Sequence, residues 1–286
     1  MFKKIKKFHS SLNNIFKNQS FKEKPTRTLL YIFLILIFLL FRVKKKYKVN
    51  VNSDRNFFLY IYKPYLSMGM GGRGQYVLRE YYDPFFIYGI KSLPTKFNFI
   101  DIGCSRGFFS LFLLSLNNNE EREGICIDPF DYALKDFEEV LSLNKLSNVK
   151  ILKGVVSDKS SEKTFLHNIK TPSESSIIKK KNFTNNEGFF CKSYTVDELI
   201  YSMNLIKSVE FIKIDSEGSE YEILLGSKKT LQNMRPLLYL EITRKSEEIK
   251  KLLFEYNYSL HTIKNGNLIT DSEKIISTSI LAKPKN

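Results

Sequence analysis

The sequence predicts an α/β protein, a mostly parallel sheet with helices on both faces. Three observations point there. From residue 96 onward, short runs rich in Ile, Val and Phe alternate with longer runs of helical period. The first short run, FNFIDIG at 97–103, turns through glycine straight into a second apolar run, GFFSLFLLSLN. Charged or small polar residues stand just past the end of each apolar run, where ligands of parallel sheets bind.

Taken in order, the chain opens with a basic tail over residues 1–27, followed by an apolar segment at 28–43, a stem over 44–95 and a globular body over 96–286. Its net charge of +15 is unevenly placed. Residues 1–50 hold 13 Lys or Arg and one acid, so the remainder carries only +3. A near-neutral body with a basic leader is not a nucleic-acid face, and no nucleic-acid partner is expected. LLYIFLILIFLLF, within the apolar segment, has no charge and no helix breaker. It is shorter than the roughly 18–20 residues of a usual span, but Arg27 and Arg42 can snorkel and lengthen it. Residues 28–43 are therefore expected to be a transmembrane anchor, giving a single-pass membrane protein, with a cleaved signal sequence and a buried core helix as the alternatives. Basic residues crowd both flanks, so orientation and organelle stay open. Cys104, Cys126 and Cys191 form no C-x-x-C pair, and the three histidines stand apart, so neither a disulfide framework nor a histidine metal site is implied.

In the body, FNFIDIG reads as a buried strand and GFFSLFLLSLN as the helix packed on it. EGICIDPF is a second strand, DYALKDFEEVLSLNKL a helix, and NVKILKGVVSD a third strand. Residues 160–193 are polar and read as surface loops with one short strand. YTVDELIYSM starts a helix, with Thr195 as N-cap and Glu198 at the capping-box position. VEFIKIDSEG is a fourth strand, SEYEILLGSKKTLQNM one helix, and RPLLYLEIT a fifth strand. A helix, KSEEIKKLLFEYN, precedes YSLHTIKNGNLIT, where Asn265 and Gly266 signal a tight turn. A last strand lies near ISTSILAKP.

Function is read from the strand ends. After the first come Asp101, Gly103, Cys104, Ser105 and Gly107, whose glycines permit either a sharp corner or close approach of a ligand to the main chain. The spacing is not the G-x-G-x-x-G of dinucleotide binders, which disfavours a pyrophosphate. S-adenosylmethionine brings only a carboxylate to such a turn. Asp128 ends the second strand, 21 residues beyond Gly107, placed either to accept hydrogen bonds from both ribose hydroxyls or to cap the next helix. Ser157 and Asp158, after the third, suit the edge of an adenine pocket or a plain solvent loop. After the fourth, Lys213, Asp215, Glu217 and Glu220 fall within eight residues. Alternation puts Lys213 and Asp215 on one face, and a lysine in an apolar strand needs a carboxylate partner. The two glutamates are either early-turn acids favoured by the helix dipole or site residues. Glu241 ends the fifth strand. With Asp215 it could offer Mg²⁺ hard oxygen ligands, though the spacing does not require a metal.

Together these segments resemble the FkbM family of S-adenosylmethionine-dependent methyltransferases. FIDIGCSRGFFSL is similar to its D-x-G-x-x-x-G-x-x-S segment, ICIDPF to its acid-ending second strand, and LSLNKLSNVKI to its N-x-L-x-N-V stretch. YTVDEL corresponds to T-x-D-x-L, and FIKIDSEGSEYEILLG to K-I-D-x-E-G-x-E-x-x-x-L-x-G, the most specific part. Cys104 and Ser105 stand where the family usually has Ala-Asn. The resemblance implies the seven-stranded class I methyltransferase sheet with a final antiparallel strand, S-adenosylmethionine as cofactor, and O-methylation of a sugar, glycan or other small polar acceptor. Asp101, Gly103, Cys104, Ser105, Gly107, Asp128, Ser157 and Asp158 would then serve the cofactor, and Asp215, Lys213, Glu217 and Glu241 the acceptor. Asp215 would take the proton or orient the hydroxyl, with Lys213 as a rival base. Two alternatives from other classes are an NAD-dependent oxidoreductase and a non-catalytic membrane-anchored scaffold keeping the fold.

Overall fold

A computed structural model describes residues 29, 33, 45–50, 56–61, 93–94, 96–115, 122–168, 186–264, 267–270 and 279–285. The chain divides into two compact units, residues 1–82 and 83–286. In the first, β1 (Lys45–Asn50) and β2 (Asn56–Ile61) form an antiparallel pair, Lys45 opposite Ile61 and Asn50 opposite Asn56. The expected anchor at 28–43 lies outside the described residues apart from Leu29 and Phe33, which are helical and exposed. No helix among the described residues is long and apolar enough to cross a membrane.

The second unit is built on β3 (Phe99–Ile102), β4 (Gly124–Asp128), β5 (Val149–Lys153), β6 (Val155–Val156), β7 (Ser161–Asn168), β8 (Asn186–Tyr194), β9 (Phe211–Ile214), β10 (Leu237–Glu241), β11 (Tyr258–Lys264), β12 (Asn267–Thr270) and β13 (Ser279–Pro284). Its helices are α1 (Phe108–Ser115), α2 (Asp131–Leu143), α3 (Glu220–Leu225), α4 (Lys228–Asn233) and α5 (Ser246–Glu255), with a π-helical turn at Glu198–Ser202. The main sheet runs β12-β11-β13-β10-β9-β3-β4-β5. From β5 to β10 every pairing is parallel, and β13 runs antiparallel to both β10 and β11. Among the described residues the sheet therefore has eight strands rather than seven. The addition is β12, which returns along β11 with Lys264 opposite Asn267. Asn265 and Gly266 themselves lie outside the described residues, between those paired ends.

Strand alternation divides the core. Ile100, Ile102, Ile125, Ile127, Ile212, Ile214, Leu238 and Leu240 point to the face covered by α3, α4 and α5, which bury Ile223, Leu231 and Leu253 there. Phe99, Asp101, Cys126, Phe211, Lys213 and Tyr239 occupy the alternate positions. Here α1 packs: Phe109 stacks with Tyr239 at 6.0 Å, and Ser110 meets Asp101 and Cys126. Strands buried on both faces read as the continuous apolar runs seen in the sequence.

Three expectations are corrected. NVKILKGVVSD is not one strand. It breaks at Gly154, where a Cβ would come within 2.6 Å of the Lys192 carbonyl oxygen, and Val155–Val156 leaves to pair with β8. The polar stretch 160–193, expected to hold loops and one short strand, contributes two long antiparallel strands, β7 and β8, to a separate sheet ordered β6-β8-β7; its sequence has no continuous apolar run to announce them. SEYEILLGSKKTLQNM forms two short helices. At Gly226 a Cβ would stand 2.2 Å from the Ser157 carbonyl oxygen, and α4 restarts under a cap from elsewhere. That cap is Asp197, which accepts from the amides of Lys229 and Thr230, both at 2.9 Å, and from the Thr230 hydroxyl. Thr195 and Glu198 form the expected reciprocal capping box, Glu198 N donating to Thr195 Oγ1 at 2.9 Å and Thr195 N to Glu198 Oε2 at 3.4 Å. YTVDEL thus fastens two helix starts at once.

Candidate active site at the carboxyl edge of the sheet

Ile102 is level with Ile127 and Ile214, and Ile214 with Leu240. Gly103, Asp128, Asp215 and Glu241 consequently line one edge of the sheet. At its centre the turn after β3 lies directly on the end of β9, the Asp215 amide donating to the Ile102 carbonyl at 3.1 Å. Gly103 has φ +74°, and a Cβ there would sit 1.8 Å from the Asp215 carbonyl oxygen. At Gly107, φ +71°, a Cβ would overlap the Phe137 ring at 2.1 Å. Both glycines are required by the corner itself, before any ligand is considered.

Between them Ser105 adopts φ 49° and donates its amide to Asp128 Oδ2 at 2.9 Å. The other oxygen, Oδ1, accepts from the Phe130 amide at 2.9 Å, an Asx-type turn that ends β4. Asp128 does not cap α2, which begins after Phe130 without a side-chain cap. Burial pushes the Asp128 carboxyl up to about 6, with the two amides and Lys213 pulling the other way. Nearby, Arg106 pairs with Asp136 at 2.8 Å and lies over the Tyr132 ring. Phe130 and Tyr132 are tilted against each other at 5.4 Å. Ser157 is fully buried; its amide donates to the Tyr194 carbonyl and its hydroxyl to Asp158 Oδ1 at 3.0 Å. Cys104 is buried as well. Its thiol is pushed well up by burial, by Cys126 and by the Asp128 and Asp101 carboxylates, which makes it a packing group and not a nucleophile.

Lys213 is among the largest fully buried side chains. It stands level with Asp101 of β3, and its ammonium donates to Asp101 Oδ1 at 3.0 Å and to the Gly103 carbonyl at 3.3 Å. It also pairs with Asp215 Oδ2 at 3.4 Å and lies 5.1 Å from the centre of the Phe109 ring. The second Asp101 oxygen accepts from the Ser110 hydroxyl at 2.6 Å. Burial alone would lower the Lys213 pKa, but Asp101 and Asp215 outweigh it and push it above the ordinary lysine value. An ammonium so held keeps its proton, an arrangement that favours pairing over the rival-base role. Asp101 in turn is spent inside the fold on Lys213 and Ser110.

Beyond Asp215 the chain is braced by a residue whose role the sequence left open. Glu220 is fully buried, accepting from the Gly218 amide at 2.8 Å, the Ser216 hydroxyl at 3.1 Å and the Thr243 hydroxyl at 3.4 Å. It ties the loop after β9 to the loop after β10, and burial raises its carboxyl above the ordinary value against those donors. Glu217, at φ 53°, sits in the loop that Glu220 holds, half-buried. Asp215 keeps 29% of its side chain exposed, and Glu241, level with Ser279 of β13, is also half-buried. Among the described residues no group of three or more His, Cys, Asp or Glu is placed to hold a metal ion.

The structure thus gathers Asp101, Asp128, Lys213 and Asp215 around one turn, with Glu217 and Glu241 on neighbouring tips. Ser110 and Glu220 complete it. Both stand in the segments that resemble the family, Ser110 closing D-x-G-x-x-x-G-x-x-S and Glu220 the second acid of E-G-x-E, but nothing local to either showed which partner it would meet.

Known proteins bear on this arrangement. Among solved structures the chain is similar to the methyltransferase FkbM from Methylobacillus flagellatus, at 16% identity and TM-score 0.46, over 68% of this chain and 45% of that one. The chain thus spans less than half the length of that relative. It is also similar to Aeropyrum pernix fibrillarin in complex with S-adenosyl-L-methionine, at 10% identity and TM-score 0.38, over 70% and 72%. A third is an rRNA methylase from Streptococcus thermophilus, at 10% identity and TM-score 0.37, over 70% and 94%. Curated proteins give no match. The model of the methyltransferase FkbM domain matches residues 101–260, a stretch that opens on Asp101 and takes in the turn, Asp128, Lys213, Asp215 and Glu220. With more than half of its length inside that match, the chain belongs to the FkbM methyltransferase domain family.

Proposed function

We propose that the protein transfers a methyl group from S-adenosylmethionine to a hydroxyl of a sugar, glycan or other small polar acceptor. The observation that carries this reading is Asp128. It is a buried carboxylate at a strand tip, bonded through Oδ2 to the amide of the glycine turn. Each of its oxygens accepts one amide and retains a second lone pair, the donor-poor pattern that a ribose diol complements. The same bond argues against a dinucleotide. Ser105 stands where the middle glycine of G-x-G-x-x-G would stand, and its amide is committed to Asp128 instead of facing a pyrophosphate.

When bound, S-adenosylmethionine supplies an already activated methyl group, so the chain's task is alignment more than activation. Asp128 would hold the ribose, and the amides opening α1 would meet the carboxylate of the amino-acid end. Asp215, the partly exposed carboxylate of the central tips, would accept a hydrogen bond from the acceptor hydroxyl and orient it. Glu217 and Glu241 give the rim a polar character suited to a polyhydroxylated molecule. The uncharged run at 28–41, within the apolar segment 28–43 and between basic flanks, supports a membrane-bound enzyme, which alkaline extraction of membranes from expressing cells would test.

The substrate reading is tested by methyl transfer from labelled S-adenosylmethionine to a panel of glycans and polar metabolites, with and without Mg²⁺. Label is expected on an oxygen of a hydroxylated acceptor. Label confined to nitrogen or to nucleic acid would contradict it.

A further inference from the structure

We infer that Lys213 is the positioning residue of this site: tethered by Asp101, its ammonium fixes the Gly103 carbonyl and the Asp215 carboxylate against each other. Asp101 then acts as the tether's counter-ion and not as a ligand contact. The inference deepens the methyl-transfer reading and rests on it for the functional consequence, though not for the geometry.

An ammonium held in a sheet interior is retained only when its charge and its donors are matched. Lys213 meets that requirement with three oxygens from three segments: Asp101 on β3, Gly103 on the turn, and Asp215 at the end of β9. The three distances, 3.0, 3.3 and 3.4 Å, place one cation at the junction of the elements expected to meet cofactor and acceptor. Asp101 cannot swing toward a ligand without giving up both Lys213 and Ser110. Asp215 can offer its exposed side to an acceptor while its Oδ2 stays paired. The charged and titratable groups facing the ammonium are Asp101 from β3, Asp128 from β4, Asp215 from β9 and the Cys104 thiol from the turn; α1 contributes the Phe109 ring, and β10 places Tyr239 level with Lys213. Without the ammonium, Asp101 and Asp215 would face each other across its empty place beside Asp128, which would lose a charge that lowers its carboxyl, and one of the three would take up a proton at neutral pH.

Three measurements on the full chain test this. In the wild-type protein, the Lys213 Nζ resonance after ¹⁵N-lysine labelling is expected to remain that of an ammonium above the usual lysine range of about 10.4. Titration below that range would overturn the inference. In Lys213→Met, an infrared carboxylic-acid C=O band absent from the wild type is expected at neutral pH, together with roughly tenfold or greater weakening of S-adenosylhomocysteine binding. In Lys213→Met/Asp101→Asn, the band is expected to vanish and thermal stability to recover, while S-adenosylhomocysteine binding stays weak because nothing links Gly103 to Asp215. This double variant decides the matter if the single one does not fold. Wild-type affinity in either variant would overturn the inference, as would a missing band in a folded Lys213→Met. Failure of the wild type itself to bind S-adenosylhomocysteine would instead count against the methyl-transfer reading, because the resonance and the infrared band need no ligand.

Discussion

The tips of β3 and β4 and the tips of β9 and β10 face one another across Lys213, yet they are built on different principles. On the first side everything is backbone contact and buried charge. Gly103 leaves no room for a Cβ, Gly107 lies on the Phe137 ring, and Asp128 is bonded to two amides. On the second side a single buried carboxylate, Glu220, braces two loops whose outer groups, Asp215, Glu217 and Glu241, stay half-exposed. The first half is preformed to one shape, while the second presents side chains that can change without disturbing the frame. A site that receives an invariant cofactor on one side and a particular acceptor on the other would be divided in this way.

The sharpest way to break the comparison is to put a methyl group on the preformed side. Gly103→Ala forces a Cβ to 1.8 Å from the Asp215 carbonyl oxygen at φ +74°, and a loss of about 4 kcal/mol or more is expected in thermal or denaturant unfolding. Unchanged stability would mean the two strand ends are not locked together.

Asp128 gives the next effect, through pH. Its folded-state carboxyl lies at about 6 against an ordinary 3.8, so the folded form binds more protons between those values. Its contribution to stability is full below 3.8 and is lost as pH rises through about 6. That rise corresponds to about 3 kcal/mol at most. Across this window the unliganded wild type should lose stability relative to Asp128→Asn, and parallel stability curves for the two proteins would contradict the assignment.

On the braced side, Glu220→Ala leaves the buried Gly218 amide without its acceptor. A destabilisation of about 2 kcal/mol is expected, with S-adenosylhomocysteine affinity within about twofold of wild type, since the brace lies on the acceptor side. Affinity falling as far as stability would show that the halves are not separable. Farther away, Asp197→Ala removes the cap of α4 and should cost about 1 kcal/mol in unfolding experiments, leaving binding untouched.

Much of this was legible because parallel strands buried on both faces announce themselves as apolar runs, as FNFIDIG, EGICIDPF and RPLLYLEIT do. The corner at Gly103, the acid ending β4 and the pairing of Lys213 with Asp215 followed from the same pattern. What the pattern could not show were partners distant in sequence. Asp101 meets Lys213 only because β3 lies beside β9 with those residues level, a fact of strand order that local spacing does not encode. Glu220 looked like an ordinary first-turn acid because its acceptor role depends on Thr243, on the next loop. The length and pairing of β7 and β8, where one short strand was expected, were hidden because KTFLHN and NEGFFCKSY are too polar to resemble a core.

The most direct test of the account is calorimetric titration of the full chain with S-adenosylmethionine, wild type against Asp128→Ala. Binding by the wild type and a weakening of about tenfold or more in the variant, equivalent to about 1.4 kcal/mol, is the expected result. A folded wild type that does not bind, or a variant that binds equally well, would contradict the claim that the edge beyond β3 and β4 is a cofactor site.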